Sequence, residues 1–290
     1  MLKGSAATAE LEVEAHERVI ENAVSLHKVA GSPFTWEDYL KVIDPYPFVV
    51  EDVIEASDDL TPARMRSLAR RVLLGDPAGY IEALRELSPL SSIQQLGTTV
   101  EVEAEHRSLI SGRLVVNDRG VIPKESKTLT ATGKVSTKAM AKGRYHELYQ
   151  DHVCSCVLRV AREMFALLPI ETVIITAVVR GVDSGTGKDT LIPVLSVAVT
   201  RNKLRELDFE RLDPSDSMVN FLHRGDVLAS KRTGEFKAIE PLTASDVMNR
   251  SATAKPLREL VSVVRTMRSE IERISRRIPS SRGSTSDVAP

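Results

Sequence analysis

Three charged residues have the types and the order found in a metal-dependent nuclease. Asp226 is followed along the chain by Glu235-Phe236-Lys237, and such enzymes place an aspartate on one strand and Glu-x-Lys on the next. The two carboxylates then hold Mg²⁺ while the lysine contacts the attacked phosphate. Asp226, Glu235 and Lys237 are therefore candidate catalytic residues. The same pattern arises by chance in charged chains, so a solvated hairpin is the competing interpretation.

A run of basic residues upstream could contact a phosphodiester backbone. Cationic side chains that neutralise phosphates supply most of the sequence-independent affinity for nucleic acids. The run consists of Lys124, Lys127, Lys134, Lys138, Lys142 and Arg144. Nucleic acid is therefore a candidate partner, although a lysine-rich strand pair is more often a solvated sheet edge.

Residues 180–194, "RGVDSGTGKDTLIPV", resemble a phosphate-binding loop. A Walker loop needs Gly, four residues and then Gly-Lys-Ser/Thr, and it must lead into a helix. Here five residues separate Gly181 from Gly187, and Asp189 stands where the hydroxyl belongs. The residues that follow are typical of a strand. We therefore expect the tip of a hairpin between two buried strands, with a solvated lysine.

His152 and Cys156 are four residues apart on a predicted helix and could face one metal ion. Two ligands do not make a zinc site, and Cys154 lies about 200 degrees round the helix from Cys156 at about 100 degrees per residue. "CSC" also lacks the C-x-x-C spacing of a redox pair. We therefore predict no metal and no cofactor, with both cysteines as core thiols and His152 at the core boundary.

The elements that position these residues begin with a helical region, residues 1–96. Apolar residues recur at helical spacing between residues 5 and 30. Thr61-Pro62 and Asp76-Pro77 have the residue types of helix starts, and Gly75 has that of a helix end.

Residues 97–241 are predicted to form the core domain. "TTVEVEAEH" and "GRLVVN" alternate with a period of two, as in a hairpin with one wet face, while "ETVIITAVV" and "TLIPVLSVAVT" read as buried strands. Residues 144–168 form the longest helical pattern, and residues 227–242, with "VLAS" and "FKAIEPL" on either side of a turn, read as a last hairpin.

The C-terminal region has the most regular pattern in the chain. Its apolar residues step by three and four, the spacing of a coiled-coil seam: Leu257, Leu260, Val264, Met267, Ile271, Ile274 and Ile278. Residues 242–279 are therefore predicted to be an amphipathic helix, and residues 280–290 a disordered tail. The helix either packs on its own domain or associates through residues 255–279 with another chain.

These segments together predict an α+β protein: a helical N-terminal region, a mainly antiparallel sheet packed by one long helix, and a C-terminal amphipathic helix.

Charge and composition narrow the class of protein. The formal net charge is −1, but residues 1–62 contain thirteen acidic and four basic side chains, and residues 242–290 nine basic and five acidic. This asymmetry favours attraction between the two ends or to an acidic partner, although solvated helix faces explain it as well. The chain lacks an apolar run long enough for a membrane span and a signal-peptide core, and its two cysteines are too few for a disulfide framework. We expect a cytoplasmic protein.

The sequence resembles a bacterial protein family with no settled activity. The resemblance rests on the "LYQDHVCSCVLRVAREMFALLP" helix and the "LDPSDSM" element, extends more weakly to "SLHKVAGSPFTWED" and "VLLGDPAGYIEAL", and covers most of the chain. It implies no cofactor or catalytic residue. Family members vary around Asp226 and Glu235, which weighs against the nuclease interpretation, and the heptad-patterned helix looks like an addition to the family.

The leading functional hypothesis is a binding or regulatory module that associates through its C-terminal helix, and whether the chain is an enzyme stays open. The alternative is a metal-dependent nucleic-acid hydrolase using Asp226, Glu235 and Lys237. A third possibility is a small-ligand pocket between the long helix and the sheet, since such pockets leave no short sequence signature.

Overall fold

The computed structural model describes residues 2–41, 61–88, 90, 99–183, 185–227 and 236–248. Glu235 and the heptad residues 257–278 lie outside these ranges. The chain divides into two compact units, Met1–Ala244 and Ser245–Pro290. The elements described here belong to the first unit.

The N-terminal region is helical where it is described, as predicted. Its helices are α1 (Leu2–Val24), α2 (Trp36–Lys41), α3 (Pro62–Leu74) and α4 (Pro77–Leu87). The hydroxyl of Thr61 caps α3 by accepting from the backbone nitrogen of Arg64 (3.3 Å), and the carboxylate of Asp76 caps α4 by accepting from that of Ala78 (3.1 Å). Gly75 separates the two helices at φ 78°, a left-handed conformation that glycine adopts without strain.

Seven strands follow in the described chain. They are β1 (Thr99–His106), β2 (Leu109–Val115), β3 (Glu125–Leu129), β4 (Val135–Ala139), β5 (Thr172–Val182), β6 (Asp189–Thr200) and β7 (Leu222–Arg224). Five of them form one sheet in the order β1-β2-β5-β6-β7, and β3 and β4 form a separate hairpin. Gly133, at φ 72°, lies in the turn of that hairpin.

The main sheet is mixed. Its neighbouring strands run antiparallel except for β2 and β5, which run parallel with Val115 opposite Val178. A parallel pair needs a crossover connection. Here the chain between β2 and β5 contains the β3–β4 hairpin and α5 (Lys142–Leu167). The mainly antiparallel sheet predicted from the sequence is confirmed.

Helix α5 is 26 residues long and packs against the sheet, as predicted. It contacts β5 and also α1, α4 and the 3-10 turn Leu26–Lys28. Because it has neighbours on several sides, polar as well as apolar positions of the helix are buried. Leu158 and Met164 are fully enclosed, and each such side chain contributes about 1.5–3 kcal/mol relative to exposure.

The hairpin predicted at residues 227–242 is corrected by the structure. Its second half, Phe236 to Leu242, forms no strand. The segment runs beside β6 and donates from the backbone nitrogen of Ile239 to the carbonyl of Pro193 (2.9 Å), and from that of Leu242 to the hydroxyl of Ser196 (3.0 Å). Proline has no N–H to return such a bond, so a ladder cannot continue at this point. The first half of the hairpin lies mostly outside the described residues.

Within the described part of the chain, no helix is both long enough and apolar enough to cross a bilayer.

Candidate functional site

The hydrolase candidates lie at the end of β7 and in the segment beside β6. Asp226 follows β7 by two residues and is exposed, and Lys237 is exposed in the segment that forms no strand. Glu235 is outside the described residues. The nuclease interpretation expects Asp226 and Lys237 on paired strands. In the structure they do not lie on paired strands.

The basic run is divided between two faces of the β3–β4 hairpin and the start of α5. Its members are Lys124, Lys127, Lys134, Lys138, Lys142 and Arg144. Lys127 is opposite Thr137 and Lys138 is opposite Ser126, so the two lysines project to opposite faces. Lys127 pairs with Glu12 of α1 (2.7 Å), and Arg144 pairs with Glu147 (3.1 Å). The run is therefore not one continuous basic stripe.

The glycine-rich stretch is the tip of the β5–β6 hairpin, as predicted. Val182 pairs with Asp189 across the hairpin. The carboxylate of Asp183 accepts from the backbone nitrogen of Gly185 (2.8 Å) and from the hydroxyl of Thr186 (2.9 Å), and these bonds lower the pKa of Asp183. Its oxygens thus stabilise the turn, and Lys188 beside it is exposed.

His152 and Cys156 are both part of the core. The ring Nδ1 of His152 donates to the carbonyl of Ala23 (2.7 Å), and its Nε2 lies 3.7 Å from the sulfur of Cys156. Burial lowers the pKa of His152 and raises that of the Cys154 thiol. The prediction of core thiols is confirmed, but the boundary position of His152 is wrong, because α1 covers this face of α5 and leaves the histidine 1% exposed.

His27 and Ser155 form a second buried pair, with the residue types of a base and a nucleophile. The hydroxyl oxygen of Ser155 lies 2.9 Å from the ring Nδ1 of His27 and 2.9 Å from its backbone nitrogen. Burial, followed by the nearby charges of Lys28 and Arg162, lowers the pKa of His27. The hydroxyl accepts from the backbone N–H of His27 and shares a second hydrogen bond with its ring Nδ1. Ser155 has no solvent-exposed surface, so this pair joins two segments and is not accessible to a substrate.

The pair belongs to a longer contact between α5 and residues 27–36, which we call the α5-bound segment. The other hydrogen bonds run from Arg162 to the carbonyls of His27 and Lys28 (3.0 Å for Lys28), from the backbone nitrogen of Gly31 to the carboxylate of Glu163 (3.0 Å), from that of Phe34 to the carbonyl of Ala166 (2.8 Å), and from Trp36 Nε1 to the carbonyl of Leu167 (2.5 Å). These bonds satisfy polar groups that packing removes from water. The polar side chains on this part of α5 therefore hold the N-terminal region in place.

A third polar group links α5 to the chain before β7. The hydroxyl of Ser215 lies 2.8 Å from a carboxylate oxygen of Asp151 and 2.8 Å from one of Asp213. Burial, with smaller contributions from Asp213 and Glu147, raises the pKa of Asp151 to about 6. One hydroxyl proton cannot serve two carboxylates at full strength. When Asp151 is protonated, it donates to Ser215, which donates in turn to Asp213.

The comparisons with known proteins leave these groups to be interpreted from geometry alone. No protein-family model, curated protein or solved structure matches the chain. The family resemblance drawn from the sequence therefore stays a prediction.

Several of the buried polar residues escaped the sequence analysis. His27, Asp151, Ser155 and Glu163 are each 8% exposed or less. Asp151, His152 and Ser155 fall within about 100 degrees of one another round the helix. Such an arc is typical of an exposed polar face, so no signal in the sequence indicates that these positions are buried. The partners of these residues could not be read from the sequence, since they lie more than sixty positions away.

The described residues include no group of three or more potential metal ligands drawn from His, Cys, Asp and Glu. The serine–histidine contact is buried and stabilises the fold. The carboxylate–serine cluster runs from the buried Asp151 through the half-buried Ser215 to the exposed Asp213, and it links α5 to the chain before β7.

Proposed function

We propose that this protein is a binding or regulatory module that associates, with a second copy or a partner protein, through residues 255–279. One observation carries the proposal. The seven apolar residues from Leu257 to Ile278 step by three and four over three heptads. This is the spacing at which a helix buries its apolar seam against a second helix.

Charge supports self-association in particular. Residues 242–290 carry an excess of basic side chains, and residues 1–62 an excess of acidic ones. The acidic residues 1–62 of one copy therefore complement the basic residues 242–290 of another copy, which include the seam. Such complementarity accelerates encounter and selects partners more than it adds affinity.

The compartment that fits this proposal is the cytoplasm. The thiols of Cys154 and Cys156 are buried and form no disulfide, and reduced cysteines are typical of a reducing environment.

Analytical ultracentrifugation of the full chain tests the proposal. We expect a dimer or higher oligomer that dissociates on dilution, and a monomer when residues 255–290 are deleted. The double substitution Val264→Glu with Ile271→Glu should have the same effect as the deletion, because it places charges in the apolar seam. A full-length chain that sediments as a strict monomer, unchanged by the deletion, contradicts self-association.

Ser262→Glu with Ser269→Glu is the matched control. Both serines occupy the heptad position that lies farthest from the apolar seam. The control adds the same charge to the same segment but should leave the oligomer intact. If it dissociates the oligomer as well, net charge rather than the seam holds the chains together.

A further inference from the structure

A cleft of about 270 Å³ opens where the parallel pairing of β2 with β5 ends. Its lining consists of Val115, Val116, Asn117, Asp118, Val121 and Arg180. Val115 is the last residue of β2 and is opposite Val178. Arg180 lies two residues beyond the end of this pairing, on the part of β5 that continues to Val182.

The cleft contains a cation and an anion that do not pair with each other. Asp118 and Arg180 are both exposed, and their charged groups are farther apart than the 4.0 Å that defines an ion pair. Asp118 uses one carboxylate oxygen to accept from the backbone nitrogen of Gly120 (2.8 Å). Among the described residues, the side chain of Arg180 makes no hydrogen bond and no ion pair. Both charges are thus available to a ligand.

The wall that carries Asp118 is held by α5. The hydroxyl of Tyr149 donates to the carbonyl of Asn117 (2.8 Å), and that of Tyr145 donates to the carbonyl of Arg119. The backbone nitrogen of Val116 also donates to the carbonyl of Val178 on β5 (3.0 Å). A wall fixed in this way loses little conformational entropy when a ligand binds.

We propose that this cleft binds a free α-amino acid with an apolar side chain. The guanidinium of Arg180 is suited to bind the carboxylate through two parallel hydrogen bonds. The second carboxylate oxygen of Asp118 receives the ammonium. The half-buried Val121 contacts the side chain, since Val115 and Val116 of the lining are buried. The volume is below the usual range for drug-sized ligands, which suits a single amino acid. This site is separate from the proposed association through residues 255–279.

Isothermal titration of the full chain with L-leucine and two analogues tests the site. 4-Methylpentanoate lacks only the ammonium group, and 3-methylbutylamine lacks only the carboxylate. We expect saturable binding of leucine with one site per chain, and at least about tenfold weaker binding of each analogue, since each loses a charge-assisted contact. No saturable binding of leucine up to about 10 mM overturns the proposal. Equal binding of leucine and 4-methylpentanoate overturns the assignment of an amino acid.

Two substitutions connect the binding to the named residues. Arg180→Gln should weaken leucine and 4-methylpentanoate by at least about tenfold and leave 3-methylbutylamine unchanged. Asp118→Asn keeps an oxygen for Gly120 but removes the charge, so it should weaken leucine and leave 4-methylpentanoate unchanged. Arg113→Gln, on β2 and outside the cleft lining, is the matched control and should bind all three probes as the wild type does. Leucine binding that is unchanged in Arg180→Gln overturns the proposal.

Discussion

The hydroxyl oxygen of Ser155 lies 2.9 Å from both the ring Nδ1 and the backbone nitrogen of His27, which is 128 positions away in the sequence. This contact joins α5 to the α5-bound segment, residues 27–36, in the interior of the protein. Both residues are almost completely buried. Although their residue types are those of a base and a nucleophile, Ser155 and His27 form a structural link.

Ser155→Ala should destabilise the fold. It removes both hydrogen bonds to His27 and leaves two buried polar atoms without these partners, which costs about 2 kcal/mol in the free energy of unfolding. Urea denaturation followed by circular dichroism measures the change. Ser32→Ala, at an exposed serine of the α5-bound segment, is the control and should leave the midpoint unchanged. Equal midpoints for Ser155→Ala and the wild type would show that the link does not contribute.

Asp151→Asn should change how stability depends on pH. The folded state raises the pKa of Asp151 to about 6, above the value of about 3.9 in an unfolded chain. The folded state therefore binds this proton more tightly, and the contribution of Asp151 to stability falls as pH rises from about 4 through 6. Asparagine cannot ionise, so the variant should exceed the wild type by roughly 2 kcal/mol at pH 8 and match it near pH 4.

Thermal unfolding of the wild type and Asp151→Asn between these pH values measures the difference. Asp216→Asn is the matched control, because Asp216 is an exposed aspartate beside the same serine cluster. Its stability curve should run parallel to that of the wild type. If the stability of Asp151→Asn falls with rising pH as steeply as that of the wild type, another group causes the fall.

Arg201→Lys should loosen the end of α5. The guanidinium of Arg201 donates to the carbonyls of Phe165 (3.0 Å), Leu168 and Ile170 (2.8 Å), and it lies 4.9 Å from the centre of the Phe165 ring. A lysine ammonium keeps the charge but lacks the planar fork that reaches all three. We expect a loss of about 1–2 kcal/mol in the free energy of unfolding.

In Arg201→Lys, hydrogen exchange should become faster at the backbone amides of the C-terminal turn of α5 and of the first residues of β5. Arg205→Lys, at an exposed arginine one turn further on, serves as the control. Full protection in Arg201→Lys would mean that the guanidinium bonds are dispensable.

Incubation of the protein with plasmid DNA and with RNA in Mg²⁺ or Mn²⁺ tests the alternative hydrolase function. We expect no cleavage, because Asp226 and Lys237 do not lie on paired strands. Metal-dependent cleavage that disappears in Glu235→Ala, but persists in the control Glu240→Ala, would contradict this expectation and restore the nuclease interpretation.

Local patterns predicted most of the secondary structure. The apolar runs of β5 and β6 and the glycine-rich turn between them predicted a buried hairpin, and Pro169 marked the end of α5. The last hairpin was the exception. Its alternation of apolar and polar residues is a local feature of the sequence. In the structure the segment lies beside Pro193 of β6, which has no N–H with which to continue a hydrogen-bonded ladder. A strand depends on its neighbour as well as on its own residues.

The sequence by itself determined the elements, the α+β class and the heptad pattern, because hydrophobic period, capping and turn residues act over a few positions. Only the tertiary structure decided that β2 and β5 run parallel, and this pairing places Asp118 and Arg180 in one cleft. It also decided that Ser155 meets His27 instead of a substrate. Residues far apart in the chain meet only when burial of the whole core offsets the entropy of bringing them together, and no local pattern records that balance.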